Sequence, residues 1–422
     1  MLQKLPKPIK VVLALCLVIA LALWAFDAKI NSDLLGAKDR ARKAGVALTV
    51  SDIEKLVPET SAKENAAPIL RQFLHFQKRA TLEEAETYRD QFLSTLSPAQ
   101  WKIIESMEPM VNKYSVLGEQ IKDKEFVDFE RDWNQGFETI FPEYQGMKQA
   151  VSNICLKSRL LSYRGDKIGA LLELQKAFHI SQFAGREPVT LSLHAQSSCE
   201  LVAMRQLSIL MGERKLTQAE LREIENIRNT LRDPLPYSYF LQSDSACINL
   251  LYSNGKASQT VEEFGDKFPS ARVLALLFKT PFAKVVHTDT LQLCTKVFTI
   301  ASNTKISNRE MISQLKAFDD AQEPIDSWNL RRVAASLPFL TYIDSFKAYL
   351  SIQVNRNLLD TLLSGKAAID PYTELPLKQI QESQGTRYYT IGRNGIDDMG
   401  RNYDEKGKKI LNADDISIFV HK

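Results

Sequence analysis

The sequence has almost no excess of charge of either sign, and it contains few glycines and prolines. Its 54 lysines and arginines nearly balance 51 aspartates and glutamates, and no basic stripe with interleaved aromatics stands out. This balance gives no argument for a nucleic-acid partner, which requires a concentrated basic surface. With only 17 glycines and 16 prolines in 422 residues, long disordered stretches are not expected. A hydrophobic share of 44% indicates a folded chain with one large core or a few smaller ones.

Cysteine is also scarce, and no two cysteines have the spacing of a zinc or redox motif. Cys16 lies in an apolar N-terminal run, and four more are spread through the body: Cys155, Cys199, Cys247 and Cys294. If the body is exported, these four can form two disulfides in three alternative connectivities. The favoured interpretation is that they are small buried residues on helices.

The motifs of common enzyme classes are missing, because the sequence contains no HExxH, GxSxG, GxGxxG or P-loop pattern. His179 and His194 are the most tempting metal pair, but their separation is not a ligand spacing on one helix. We interpret them, with His75 and His287, as ordinary helix residues. No catalytic residue is predicted, and an enzyme is the least favoured class. An extracytoplasmic hydrolase with a site assembled from distant residues of the helical body stays open as an alternative.

The N-terminal end combines basic residues with a long apolar run. Three lysines precede the uncharged segment 11–26, which is slightly shorter than the ~20 residues needed to cross a bilayer. A cleaved signal peptide has a similar apolar length, but Trp24, Phe26 and Asp27 stand where its cleavage site requires small residues. We therefore favour an uncleaved signal anchor over residues 1–29. The N-terminus would then lie inside the cytoplasmic (inner) membrane and the body outside it, on the periplasmic side.

Residues 30–365 are predicted to form an irregular α-helical hairpin domain, because helix start signals recur along this region. In a capping box, a hydroxyl residue and an acid or amide three positions later bind each other's backbone N–H groups. Segments that fit begin at Ser51, Thr81, Ser97, Thr217, Thr260 and Ser307. Apolar residues at helical spacing, such as Leu171, Leu174 and Phe178, agree with this prediction. Four aromatic residues can mark a partner groove, although core packing is favoured: Trp133, Phe137, Phe141 and Tyr144.

The composition changes after Gly365, and residues 366–422 are predicted to form a small β module. Alternating residues in segment 386–391 indicate one short strand, and segment 417–420 indicates another. A turn is expected at residues 392–395, where two glycines flank Arg393 and Asn394.

Two aspartate pairs lie between these predicted strands, and they are the best candidate for chemistry in the chain. Asp397-Asp398 and Asp414-Asp415 flank a loop that also contains Gly400 and Asp404. Ca²⁺ binds six to eight oxygens from carboxylates and loop carbonyls, and unpaired acids would repel each other. The spacing is not that of an EF-hand. The pattern therefore predicts either a calcium site of another kind or a solvated acidic loop.

The ordered segments of this module resemble the C-terminal region of the major (G-type) pseudopilins of type II secretion systems. The matching segments are Asp370-Pro371, Leu375-Pro376, 389–395, Asp397-Asp398 and 414–416. In that family the loop binds calcium and a small sheet packs against a long helix. The resemblance therefore implies a metal-binding loop here. The implied ligands are Asp398 and Asp414, then Asp397, Asp415 and Asn394, with a backbone carbonyl near Ile391.

The N-terminal half departs from the pseudopilin pattern. It has no peptidase site after a basic leader, its apolar run carries no glutamate, and a long helical region precedes the module. Processing and polymerisation as a pilin subunit are therefore not expected. The whole layout resembles membrane-anchored bacterial proteins of the type found in planctomycete genomes. Segments 48–52, Pro58 and 64–67 carry this resemblance, which implies placement at a membrane but no activity.

The sequence thus predicts a mainly α protein with three parts: a transmembrane helix, a helical domain and a small β module. The first functional expectation is a membrane-anchored extracytoplasmic binding or structural protein with calcium in its C-terminal module. A protein partner outside the cytoplasm fits this expectation, and a nucleic acid does not. The alternatives are a component or cargo of a type II secretion or pilus-like apparatus, and the hydrolase mentioned above.

Overall fold

The computed structural model describes residues 7–57, 61, 63–75, 96–212, 214–263, 271–322, 329, 331, 342–401 and 414–421. Within these residues the protein is mainly helical and contains a three-stranded sheet near its C-terminal end. This confirms the predicted mainly α class.

Helices account for most of the described residues. They are α1 (Lys7–Lys43), α2 (Val50–Glu54), α3 (Ala67–Leu70), α4 (Pro98–Ser106), α5 (Glu108–Gln120), α6 (Pro142–Tyr163), α7 (Lys167–Ala184), α8 (Thr190–Met211), α9 (Gln218–Thr230), α10 (Tyr237–Phe240), α11 (Gln242–Ser253), α12 (Ala257–Glu263), α13 (Ala271–Leu277), α14 (Phe282–Ala301), α15 (Asn308–Asp320) and α16 (Tyr342–Ser364). Two 3₁₀ helices cover Arg71–His75 and Trp133–Glu138, and the strands are β1 (Lys378–Glu382), β2 (Gly385–Thr390) and β3 (Ile416–His421).

Helix α1 is a single 37-residue helix with two different environments along its length. Its described apolar side chains between Leu15 and Phe26 are largely exposed, whereas Ile30, Ala37 and Ala41 are buried against the body. Among the described residues, α1 is the one helix long and apolar enough to cross a bilayer, and a signal sequence would meet the same criteria. The predicted anchor boundary at residue 29 therefore lies within a continuous helix.

The centre of the body is a bundle of α6, α7, α8 and α16, whose facing residues form the largest hydrophobic cluster. This bundle also buries a charged pair. Glu200 on α8 and Arg356 on α16 are 0% and 3% exposed, and their Oε2 and Nη1 atoms lie 3.1 Å apart. The Arg232 carbonyl accepts a 2.9 Å hydrogen bond from Arg356 Nε. The amide groups of Gln182 and Gln196 donate to Glu200. A buried carboxylate is tolerated here because it is both paired and hydrogen-bonded.

Several of the predicted helix starts are confirmed. Ser97 and Thr217 form complete capping boxes, and Ser307 accepts a hydrogen bond from the Glu310 N–H as an N-cap. Two predictions are wrong. The cap of α2 is Thr49 rather than Ser51, and Thr260 lies inside α12, which begins three residues earlier. The segment beginning at Thr81 falls outside the described residues.

The four body cysteines lie on α6, α8, α11 and α14, and all are buried, as the favoured interpretation predicted. No disulfide joins any of the five cysteines, all of which are within the described residues. Burial raises the pKa values of Cys199, Cys247 and Cys294 to about 12. These thiols are consequently unreactive core residues.

The sheet is antiparallel with strand order β1-β2-β3, and it packs on α8 and α16. Tyr388 on β2 is paired with Ile418 on β3, and both side chains belong to the main hydrophobic cluster. Strands β2 and β3 correspond to the two predicted strands, and each of their four ends lies within one residue of the predicted end. The polar strand β1 was not predicted. The C-terminal module therefore shares its core with the helical bundle.

Candidate metal site

The segment between β2 and β3, whose described residues are 391–401, 414 and 415, is called the aspartate loop. Asp414 closes the first turn of this loop. The carboxylate oxygen Asp414 Oδ2 accepts hydrogen bonds from the backbone N–H groups of Arg393 and Asn394, at 3.0 and 3.1 Å. Gly392 adopts a φ of +67°, and a Cβ atom at this position would lie 2.1 Å from Asp414 Oδ1. Only glycine combines this left-handed backbone with so close an approach of the carboxylate.

Asp415 closes the second part of the loop in the same way. Its Oδ2 accepts hydrogen bonds from the N–H groups of Asp398 and Gly400, at 3.0 and 2.9 Å. Ser417 Oγ in turn donates to the Gly400 carbonyl at 2.8 Å. The adjacent residues Asp414 and Asp415 thus hold both ends of the loop against the start of β3.

Two carboxylate oxygens of this loop, Asp398 Oδ2 and Asp414 Oδ1, are buried and accept no hydrogen bond from the described residues. Burial raises the pKa of Asp414, and the nearby Asp398 carboxylate adds to this shift. Burial likewise raises the pKa of Asp415 to about 6, with further contributions from Asp398 and Asp397. A buried acceptor without a donor is unfavourable, and so is repulsion among partly buried carboxylates. A bound cation would relieve both effects.

The remaining predicted ligands are less suited to a metal. Asp397 is exposed, and Lys378 Nζ on β1 lies 2.6 Å from its Oδ2. The hydrogen bond from Lys378 lowers the pKa of Asp397. Asn394 Oδ1 accepts a hydrogen bond from the Ile396 N–H at 2.6 Å. Ile391 directly follows β2 and precedes the Gly392 turn. Asp404 lies outside the described residues.

The described loop does not form a complete metal site from side chains alone. In the described part of the chain, no three carboxylate, imidazole or thiol groups are grouped closely enough to hold an ion. Ca²⁺ differs from zinc in accepting backbone carbonyls and waters beside one or two carboxylates. The residues present therefore fit calcium better than a metal that requires several nitrogen or sulfur ligands. Asp398 and Asp414 would supply the carboxylates, and backbone carbonyls and waters the remaining oxygens.

A buried aspartate outside the loop has a structural role. Asp370 Oδ1 accepts from the Tyr372 N–H, and its Oδ2 accepts from Thr390 Oγ1, both at 2.9 Å. Its own N–H donates to the Leu375 carbonyl at 2.7 Å. Burial raises the pKa of Asp370. The segment that opens the C-terminal module is thus a tight turn tied to the end of β2.

Arg393 connects the aspartate loop to the helical bundle, a role that no sequence pattern indicated. Its Nη2 donates hydrogen bonds to Ser197 Oγ on α8 and to Ser351 Oγ on α16, the latter at 3.1 Å. The two hydroxyls lie 2.6 Å from each other. The backbone N–H of the same arginine binds Asp414. Arg393 therefore links the geometry of the loop to the docking of the module.

A polar groove of about 540 Å³ lies between α5, α7 and the end of α9. Its charged and polar lining includes Glu119, Lys122, Asp123, Glu173, Lys176 and His179. Lys176 Nζ is 3.0 Å from Glu173 Oε1 and 3.3 Å from Glu119 Oε2. His179 Nε2 is 2.9 Å from the Ile121 carbonyl, and burial lowers the pKa of this histidine. Lys176 thus pairs with both glutamates of the groove, which favours a structural role for these residues over acid–base catalysis.

Two other histidines of the helical body each contact a separate partner. His194 Nε2 is 3.0 Å from Ser345 Oγ, and His287 Nε2 is 3.0 Å from Asn249 Oδ1. Both contacts are consistent with ordinary helix residues. Of the four aromatic residues, Trp133 and Tyr144 are 4% and 6% exposed, Phe141 is partly buried and Phe137 is 50% exposed, so core packing accounts for all of them except Phe137.

The segments that resemble the planctomycete-type proteins are explained by packing and capping. Thr49 and Asp52 form the capping box of α2. Asn65 Oδ1 accepts from the Asp128 and Ala67 N–H groups, and its Nδ2 donates to the Asp128 carbonyl. Ala66 and Ala67 are buried in the main cluster. Pro58 lies outside the described residues. A catalytic role is not needed to explain these residues.

Comparisons with known proteins found no match among family models, curated proteins or solved structures. The function is therefore inferred from the geometry of the aspartate loop, the N-terminal helix and the docking of the sheet. The pseudopilin resemblance stays a hypothesis that is carried by the residues quoted above.

Proposed function

We propose that the chain is a membrane-anchored, extracytoplasmic binding or structural protein whose C-terminal module is stabilised by calcium. The observation that carries this proposal is the pair of buried oxygens, Asp398 Oδ2 and Asp414 Oδ1, that accept no hydrogen bond from any described residue. The N-terminus would lie in the cytoplasm and the body on the periplasmic side of the inner membrane.

The membrane part of the proposal depends on α1. Its exposed side chains include Leu21, Leu23 and Trp24, which are 55%, 63% and 71% exposed. Exposed apolar side chains along a whole helical segment are unfavourable in water and favourable in lipid. Ala37 and Ala41 of the same helix are buried in the main cluster. A retained apolar segment would therefore be joined to the body by a continuous helix.

Calcium would act on the stability of the module. The loop carboxylates come together only when β2 and β3 are paired, so the site exists in the folded state and not in the unfolded chain. A ligand that binds only the folded state stabilises it by RT ln(1 + [L]/Kd), about 2.7 kcal/mol at a hundredfold excess over Kd. Calcium bound at this loop would also fix the backbone of Arg393 and thereby the docking of the sheet.

Thermal unfolding of the full chain in detergent, with calcium or with chelator, tests this proposal. We expect calcium to raise the unfolding midpoint of the parent protein but not of a D398N/D414N double variant. Asparagine retains a carbonyl oxygen that can accept the loop hydrogen bonds, and it removes the charges that attract the ion. In chelator the double variant should be at least as stable as the parent, because the carboxylate repulsion is gone.

Asp360→Asn is the matched control. Asp360 forms a surface ion pair with Arg228 and is remote in sequence from the loop, so this variant should respond to calcium like the parent. An unchanged midpoint of the parent on adding calcium or chelator would overturn the metal site. The acidic loop would then be a solvated surface.

A component of a type II secretion or pilus-like apparatus is the second candidate. The observation that favours it is the placement of β2 and β3 against the 23-residue helix α16, which directly precedes the module. This order of long helix and small sheet resembles the pseudopilin arrangement described above. Co-purification of the full chain with assembled secretion components from crosslinked membranes would support this candidate, and its failure would leave the binding or structural role.

A further inference from the structure

Helices α12 and α13 and the first turns of α14 form a small lobe with its own hydrophobic cluster. The buried members of the cluster are Ala257, Val261, Leu274, Ala275, Phe278 and Val286. The rings of Phe278 and Phe282 lie 6.1 Å apart across the turn that joins α13 to α14. This cluster fixes α13 relative to the start of α14.

Two contacts place this lobe beside the membrane end of the body. Asp27 Oδ1 lies 3.0 Å from Lys284 Nζ, so the first turn of α14 meets α1 one residue after its apolar segment ends. The second contact lies further along both segments. A Cβ atom on Gly45, just beyond the end of α1, would lie 3.5 Å from the Phe298 ring on α14. Because the contacts follow the same order in both segments, α14 runs parallel to α1. Its first residues, and the α13–α14 turn, therefore lie at the level where α1 leaves the apolar segment.

Helix α13 has an apolar face that no described part of the protein covers. Val273 and Leu276 are 48% and 65% exposed, and their spacing of three residues puts them on one side of the helix. The exposed residues Arg272 and Lys279 flank them, and Lys279 also lies 3.3 Å from Glu262. Apolar residues flanked by basic ones on an exposed helix face are typical of helices that lie in a lipid interface.

The short length of the anchor also favours contact between α13 and lipid. The uncharged segment 11–26 spans only about 24 Å as a helix, whereas the hydrocarbon core of a bilayer is about 30 Å thick. A short span is accommodated by local thinning of the bilayer and by flanking residues that enter the interface. Val273 and Leu276 would supply such apolar surface next to the point where α1 emerges.

We infer that the outward face of α13 lies on the lipid of the leaflet from which α1 emerges. Val273 and Leu276 enter the boundary between headgroups and acyl chains, and Arg272 contacts lipid phosphates. This inference depends on the proposed membrane anchor. It gives the body a second point of attachment, so that its tilt relative to the bilayer is fixed.

Depth-dependent fluorescence quenching in liposomes tests the inference on the full chain. An environment-sensitive probe is attached to single cysteines in a Cys16→Ala background, where the four remaining cysteines are buried. The probe positions are L276C, L21C in the anchor, and L35C. Leu35 is 67% exposed on α1 and lies about 12 Å beyond Asp27 along the helix axis. The liposomes contain phosphatidylethanolamine and phosphatidylglycerol, with bromines placed on the acyl chains either near the headgroup or deep in the bilayer.

We expect the Leu276 probe to emit at shorter wavelength than the Leu35 probe and to lose intensity to the shallow bromines. The Leu21 probe should lose intensity to the deep bromines. A quenched Leu21 probe together with a Leu276 probe that behaves like Leu35 would overturn the inference and leave the anchor intact. An unquenched Leu21 probe would remove the anchor, and the inference with it.

A second measurement shows whether the Leu276 side chain drives insertion of α13 into the lipid interface. The probe is placed at R272C, with Leu276 either retained or replaced by Asp. The shallow quenching of this probe should fall in the L276D variant, because a carboxylate opposes burial in the interface. Equal quenching in both proteins would mean that α13 does not insert through Leu276 and would contradict the inference.

Discussion

Two arginine–carboxylate pairs in this protein have similar geometry and contrasting surroundings. Arg356 and Glu200 are almost completely buried between α16 and α8, whereas Arg228 and Asp360 form a partly exposed pair at 2.7 Å. An exposed pair contributes little, because water and salt screen it. A buried pair whose partner is removed leaves an uncompensated charge in the core. The buried pair joins residues 156 positions apart, so nothing in the local sequence predicted it.

Alanine substitution of the two arginines should separate these effects. We expect Arg356→Ala to lower the free energy of unfolding by about 3–5 kcal/mol, because Glu200 would keep its charge without a cation. Arg228→Ala should lower it by about 1 kcal/mol or less. Urea unfolding of both variants measures the difference. Equal losses would show that the Glu200 charge is compensated by its amide donors alone.

His287 provides a pH-dependent contribution to stability. It is 3% exposed, and burial lowers its pKa to about 3 from an ordinary value of 6.5. The folded protein thus resists protonation of this ring, whereas the unfolded chain accepts the proton near pH 6.5. The stabilising contribution is complete above that pH and decreases as the pH falls toward 3, at most by about 1.4 kcal/mol per pH unit.

Replacement of this ring should make stability less sensitive to acid. We expect His287→Gln to be less stable than the parent at pH 7.5, because the stacking on Tyr252 is lost. Its free energy of unfolding should then fall less steeply between pH 6.5 and 5. Urea unfolding at several pH values gives both slopes. Parallel curves for parent and variant would contradict the assigned role.

Secondary-structure elements differed in how well the sequence predicted them, and the reasons are physical. The capping boxes at Ser97 and Thr217 are local, since each depends on residues three positions apart. The Thr260 prediction failed because the preceding turn already begins the helix, so its hydroxyl is not at an end. Strand β1, KQIQE, has only partly buried or exposed side chains and therefore no apolar alternation to detect.

The turn that opens the aspartate loop allows a matched test with two glycines. Gly392 and Gly395 have nearly equal φ values of +67° and +71°, but a Cβ atom on Gly395 meets no described atom within 4 Å. Gly395→Ala should therefore cost only the left-handed backbone strain of about 1–2 kcal/mol. Gly392→Ala should cost more, because Asp414 must also move.

Calcium should distinguish the same two variants. We expect Gly395→Ala to retain the calcium-dependent rise in stability and Gly392→Ala to lose most of it, since the displaced Asp414 is a proposed ligand. Urea unfolding with calcium and with chelator measures both quantities. A full calcium response in Gly392→Ala would exclude Asp414 Oδ1 as a contact of the ion.

At the scale of the whole molecule, the β module is joined to the helical body, a connection that the sequence indicated only through the pseudopilin resemblance. Composition separated the helical body from the β module, but the structure shows one shared hydrophobic cluster across the two. The module contacts the body through Arg393, through Tyr372 Oη to the Lys347 carbonyl at 2.7 Å, and through His421 to the Met211 carbonyl at 3.0 Å. Such contacts involve residues far apart in the chain, which single-sequence patterns do not relate.

Loss of the Arg393 side chain should loosen the module selectively. We expect Arg393→Ala to accelerate hydrogen exchange of the amides in β2, β3 and the aspartate loop, because two hydrogen bonds to the bundle disappear. Amides of α6 and α7 should exchange as in the parent. Mass spectrometry of peptides after exchange measures both regions. Equal acceleration throughout the bundle would mean that module and bundle open as one cooperative unit.

The absence of a break in α1 has a mechanical consequence. From Asp27 to Lys43 the helix continues for about 24 Å into the body without a flexible linker. With the proposed anchor in a bilayer, the body would be mounted on its membrane helix rather than suspended from a tether. As it diffused in the plane of the bilayer, it would present the aspartate loop at a constant height and orientation. Its search for a partner would then be two-dimensional.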